Sequence, residues 1–235
     1  MAKIETIKAD EMGILMGLLV HDLRNPAATI SANVDFLQEV GLSDPDSTEA
    51  LQDVKLAVGE LRRGLDLLAW ISRWMSGQAP VEAVKGDAGV FVKRLERAET
   101  PVPVTVEVNE QQELTARGAQ VAVEIIHILL YNTRANIPGG SAHIRVFNSE
   151  DRVVIELRDE GEALAPELRE SAFTLPGQKA LKGRSDGRYS RFAGLFAASI
   201  ALQGVGGTIE AGGNKGAATF TIRLRTAPQT RPPAP

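Results

Sequence analysis

His21-Asp22-Leu23-Arg24-Asn25-Pro26 lies near one end of a 235-residue chain that has only three histidines. In a helix, residues four apart share a face, so Asn25 falls one turn from His21. Asp22 stands beside the imidazole and is able to orient it or draw its proton. Pro26 has no N–H, which leaves the Asp22 carbonyl without its helical donor and predicts a local kink. Outward from this run, apolar or small residues recur at positions 12, 16, 19, 23, 26, 30, 33 and 37. Steps alternating between four and three are the seam of a helix packed along another helix. His21 falls between seam positions 19 and 23, on the outward face.

Gly41 to Ser47 is rich in turn formers and interrupts the pattern, with Asp46 or Ser47 available to cap the next helix. The alternation resumes at Leu51, Val54, Val58, Leu61, Leu65, Leu68, Ser72 and Met75. Residues ~8–40 and ~48–77 are therefore predicted to form a helical hairpin, its first arm about 50 Å long at 1.5 Å per residue. A lone hairpin of this length leaves part of its apolar seam uncovered, so two copies are expected to join as a four-helix bundle, a homodimer. Trp70 and Trp74, four apart, are placed near the junction with the rest of the chain.

Residues 78–88 read as a linker between this unit (1–77) and a second one (89–226). In the second unit, Val102 to Val108 reads as a strand and Val121 to Tyr131 as an apolar helix. Ser141 to Asn148 and Arg152 to Arg158 alternate as a hairpin turning at Ser149-Glu150-Asp151. Phe192 to Leu202 reads as a helix. Thr208 to Ala211 and Ala218 to Leu224 read as a last hairpin around Gly212 to Gly216. The fold class is α+β, and residues 227–235, with four prolines, read as a disordered tail.

Composition narrows the options. A net charge of −4 gives no reason to expect a nucleic-acid partner. Without cysteine there are no disulfides or thiolate metal sites. The longest apolar runs fall well short of the roughly 20 residues a membrane helix needs, so no membrane insertion is expected. A cytoplasmic location, with no sensor segment, is the expectation.

The run His21 to Pro26 resembles the H-box of two-component sensor histidine kinases. The order of a hairpin and then an α+β unit resembles that family's catalytic core over about residues 8–225. The resemblance implies that His21 takes a phosphoryl group on a ring nitrogen, that Asp22 assists removal of its proton, and that Asn25 positions water when phosphate leaves a partner. It also implies that the second unit is an α/β sandwich of the histidine-kinase ATPase type, with ATP and Mg²⁺ as cofactors. Asn132 would be the Mg²⁺ ligand, with Ile128 in place of an earlier Asn. Asp159 would receive the adenine amino group, with Gly161 kept but Ala163 in place of a second Gly and Glu160 where Asn is usual. Gly194 is what remains of a glycine-rich loop in which Phe192 replaces another Gly. Val205-Gly206-Gly207 matches a His-Gly-Gly element without its His.

Glycine-rich loops hold phosphate because bare backbone N–H groups come close to it, and a phenylalanine ring there works against that. The stretch Gln178 to Arg191, however, carries Lys179, Lys182, Arg184, Arg188 and Arg191 against Asp186 alone. That is enough positive charge to face a triphosphate or an acidic partner. His127, within an apolar helix, is expected in the core, and His143, on a strand, is expected to be structural. Three functions remain open. The first is a phosphotransfer protein exchanging phosphate between His21 and the aspartate of response-regulator receiver domains, similar to kinase-like bacterial histidine phosphotransferases. The second is a histidine kinase that phosphorylates His21 from ATP. The third is a receiver phosphatase working through Asn25, or a non-catalytic dimeric adaptor.

Overall fold

The computed structural model describes residues 9–42, 44, 46–76, 85–137, 139–182, 184–214 and 216–226. Helices α1 (Ala9–Val40) and α2 (Ser47–Met75) form the expected hairpin, and α1 runs unbroken through Pro26. Ser47 closes the turn by donating its hydroxyl to the Gly41 carbonyl at 2.7 Å, while Asp46 makes no side-chain cap.

The face that α1 turns inward is one position away from the expected seam at its N-terminal end. Leu15, Leu18 and Leu19 are buried there, whereas Met12 and Met16 are exposed. On α2 the buried positions are Ser47, Ala50, Ala57, Gly64, Ile71 and Trp74, while Leu51, Val58 and Leu65 are exposed. The heptad pattern carries two adjacent faces, and the chain buries only one of them against itself.

The rest of the chain is a mixed sheet with helices on one face. Strand β1 (Lys85–Asp87) pairs antiparallel with β3 (Thr115–Arg117) as a separate two-stranded sheet. The main sheet has the order β2 (Val104–Val108), β4 (Ala142–Ser149), β5 (Arg152–Asp159), β7 (Ala217–Arg225), β6 (Thr208–Asn214). Only the β2–β4 pair is parallel. Helices α3 (Ala88–Lys93), α4 (Ala119–Asn136) and α6 (Gly194–Val205) cover it, with Ile125, Ile126, Leu129, Ile144, Ile155, Leu157, Leu195 and Leu202 in one core. A short helix, α5 (Leu175–Leu181), and a 3-10 segment, Ser185–Ala193, lie between β5 and α6.

Three readings change. Residues 85–88 are strand β1 and the start of α3 rather than linker, because β1 pairs with β3; residues 78–84 lie outside the described residues, as does the tail from 227. The helix expected from Phe192 begins at Gly194, because Phe192 and Ala193 adopt left-handed backbone at φ 50° and 53°. The last hairpin is longer than expected, pairing out to Asn214 and Ala217. No described helix is long and apolar enough to cross a membrane.

The two parts of the chain meet along α2 and α6 at glycines. A Cβ on Gly64 would stand 2.4 Å from the Phe192 ring, one on Gly194 would stand 4.0 Å from Leu67 of α2, and one on Gly204 would stand 2.3 Å from the Trp74 ring. Trp74 therefore anchors the junction, its ring edge-on to that of Trp70 at 6.0 Å.

Candidate functional site

The His21 side chain is 63 % exposed on α1, and that of Asp22 only 9 %. Their contact is short, with Nδ1 of His21 3.0 Å from Oδ1 of Asp22. A carboxylate only accepts, so in the neutral ring this contact puts the proton on Nδ1 and leaves the lone pair on Nε2. Adjacent residues on a helix do not face each other, so this contact needs Asp22 held in place.

Two groups from the far part of the chain hold it. The Lys182 ammonium pairs with Oδ1, and the Phe192 N–H donates to Oδ2 at 2.6 Å. Nearby, Arg191 pairs with Glu60 of α2 at 3.1 Å, an exposed pair that adds little. Left-handed backbone costs a non-glycine residue about 1–2 kcal/mol. At Phe192 that cost is met by a hydrogen bond to a charged acceptor, of order 1.5–3 kcal/mol, and by a ring seated on Gly64. The residue that departs from the glycine-rich pattern thus serves as a clasp on the helical hairpin.

A groove of about 450 Å³ opens beside His21, lined by Gly13, Ile14, Gly17, Leu18, Lys179 and Lys182. Asn25 is exposed one turn further along α1; its backbone carbonyl accepts the Thr29 hydroxyl at 3.3 Å. The structure therefore brings His21, Asp22 and two lysines together, with Asn25 adjacent.

Asn132, Asp159, Gly161 and Gly194 lie away from that groove. Asp159 is buried, and both its oxygens are engaged within the chain. Oδ2 accepts the Thr133 hydroxyl at 2.7 Å and Oδ1 accepts the Gly161 N–H at 2.8 Å. Tyr189, also buried, donates its hydroxyl to the Glu162 carbonyl and packs edge-on against Phe220. Gly194 opens α6, but Ile128 presses on it and Leu67 of α2 reaches the same place. Each Asp159 oxygen accepts one hydrogen bond within the chain and keeps a second lone pair, so the carboxylate is oriented but still able to receive an amino group. Just before α6 the Phe192 N–H is already given to Asp22, and Ile128 stands beside Gly194.

A larger cleft, about 1060 Å³, runs between α2 and α4, and Arg63, Trp70, Arg73, Tyr131, Asn132 and Arg191 are among its walls. Arg63 stacks over Tyr131 at 4.5 Å. His127, expected in the core, lines this cleft and is half-buried, because α4 turns that face toward α2. His143 is half exposed on β4, paired in register with Thr105. Among the described residues, no group of three or more His, Asp or Glu is placed to hold a metal ion.

Sequence reasoning identified the basic stretch but not its destination. Lys179 and Lys182 face His21, and Arg191 faces Glu60, rather than Asp159. Nothing in the sequence ties Lys182 or Phe192 to a residue 160 and 170 positions away.

No protein-family model matches the chain, and no curated protein matches it. Solved structures share its fold. The histidine kinase AdeS of Acinetobacter baumannii aligns with a TM-score of 0.63 at 16 % identity, over 88 % of this chain and 98 % of that one. The histidine kinase ThkA in complex with the response regulator protein TrrA aligns at 0.57 and 14 % identity, over 94 % of this chain and 63 % of that one. Full-length ShkA in complex with AMPPNP aligns at 0.55 and 18 % identity, over 91 % of this chain and 46 % of that one. The chain has the fold of a histidine-kinase catalytic core, a helical hairpin followed by an ATPase-like α+β unit.

Proposed function

We propose that this chain is a two-component phosphotransfer protein whose His21 takes a phosphoryl group from the aspartate of a receiver domain and returns it to another. The observation that carries this reading is an exposed His21, oriented by Asp22, beside a groove lined by two lysines. In the transfer, the aspartyl O–P bond breaks and its electron pair stays on the receiver carboxylate. The lone pair of Nε2 forms the new N–P bond. The ring keeps its Nδ1 proton against Asp22, which faces the positive charge that develops. Asn25, one turn away and exposed, is suited to place water when the phosphoryl group is lost instead.

The test is acid-labile label on the protein after mixing with a receiver domain phosphorylated on its aspartate. Wild type should take label and His21→Ala none; label that persists in His21→Ala would remove His21 from the reaction.

One observation favours a second reading, autophosphorylation from ATP. The cleft between α2 and α4 places Asn132 beside several arginines, a setting with charge for a polyphosphate. Phe192 weighs against it, since its ring sits on Gly64 and its N–H is given to Asp22 where the glycine-rich pattern would offer bare backbone to phosphate.

The exposed apolar positions Met12, Met16, Leu51, Val58 and Leu65 support a homodimer through a four-helix bundle. Leu51→Glu with Val58→Glu and Leu65→Glu should halve the mass in solution measured by light scattering. An unchanged dimeric mass would place the interface elsewhere, and a monomeric wild type would remove it. A cytoplasmic setting accords with such partners, and localisation of a tagged chain tests it.

A further inference from the structure

We propose that Lys182 is a positioning residue for His21, acting through Asp22, and that with Lys179 it lines the His21 groove as the cationic bed for the phosphoryl group. The inference rests on the phosphotransfer reading and assigns the second part of the chain a task in it, completing the His21 site rather than holding a nucleotide.

Asp22 accepts from three donors, and only His21 lies on its own helix. Without the other two, a side chain adjacent to His21 would sample rotamers that point about 100° away around the helix. The Lys182 ammonium and the Phe192 N–H select the rotamer that meets Nδ1. They thereby keep the ring in the tautomer whose Nε2 is free to attack. The Lys182 side chain is 23 % exposed and lines the groove beside His21.

The residues lining the groove include two lysines and no acid. Gly13 and Gly17 stand two turns and one turn before His21, and a Cβ added at either meets nothing within 4 Å. Side chains on a helix lean toward its N-terminus, so the imidazole leans over this bare strip. A phosphoryl group on Nε2 would sit over glycine backbone with the lysines at its flank, where its added negative charge is offset.

The experiment compares wild type, Lys182→Ala, Lys182→Arg and Glu60→Ala, the last breaking the Arg191 pair as a control for docking. The ¹⁵N spectrum of the His21 ring is recorded without partner, and phosphoryl uptake from a labelled receiver is timed. Lys182→Ala should shift the ring toward a mixture of tautomers and slow uptake about 10- to 100-fold, the range for removing a group that orients a functional histidine from behind. Lys182→Arg should restore most of both, and Glu60→Ala should leave the ring spectrum as in wild type. A wild-type spectrum in Lys182→Ala overturns the positioning role, and a shifted spectrum in Glu60→Ala reduces the effect to domain docking. If no variant, wild type included, takes label while Lys182→Ala still shifts the ring, the positioning role stands and the phosphotransfer reading falls.

Discussion

Trp74→Ala should cost about 3–5 kcal/mol of unfolding free energy, the range for removing a buried tryptophan. Trp74 is 1 % exposed and lies against Gly204 of α6, where no side chain is available to refill the space. The cavity would open at the junction between the hairpin and the second part of the chain. The loss should therefore appear as a lower denaturant midpoint, and as separate transitions if the two parts come apart. A cost under about 1 kcal/mol would mean that the junction does not depend on this ring.

Asp22→Ala should have the second large effect, on stability and on chemistry together. Its removal leaves the Lys182 ammonium and the strained Phe192 N–H without their acceptor. A part-buried charge and a backbone donor stranded in this way should cost about 2–3 kcal/mol. Phosphoryl uptake by His21 should fall about 10²-fold, since the ring loses the group that fixes its proton. Asp22→Asn separates the two effects. It keeps an acceptor for Phe192 but not the charge facing the imidazole, so it should recover stability more than rate. Chemical denaturation and timed uptake of label read the pair. Wild-type uptake in Asp22→Ala would detach the second part of the chain from the chemistry.

Much of the architecture was legible because periodicity is local. The four-and-three spacing gave both hairpin helices within a residue or two, and alternation gave β4, β5 and β7. What periodicity left open was which of two neighbouring apolar faces turns inward. Burial of Leu15 and Leu18 rather than Met12 and Met16 depends on α5 and the 3-10 segment Ser185–Ala193, which pack on α1 from afar in the chain. His21, Asp22 and Asn25 stood out because their spacing is itself a chemical pattern. His127 was misplaced because an apolar helix reads as core, although one of its faces borders a cleft.

The departure at Phe192 was visible, but only its loss of phosphate access could be argued. Its gain, a left-handed residue donating to Asp22, needed the fold. The same holds for Lys182, which reads as one cation among several until α5 is placed against α1. The glycine contacts follow the same logic: Gly64 and Gly204 are ordinary in sequence, and their meaning is the ring each one faces.

The central claim is that the phosphoryl group on His21 comes from a partner rather than from a nucleotide bound in this chain. Its most direct test offers wild-type protein two donors in parallel with Mg²⁺ present, γ-labelled ATP and an aspartate-labelled receiver domain, with His21→Ala beside each. Label on His21 from the receiver alone is the predicted result. Label on His21 from ATP alone would contradict it.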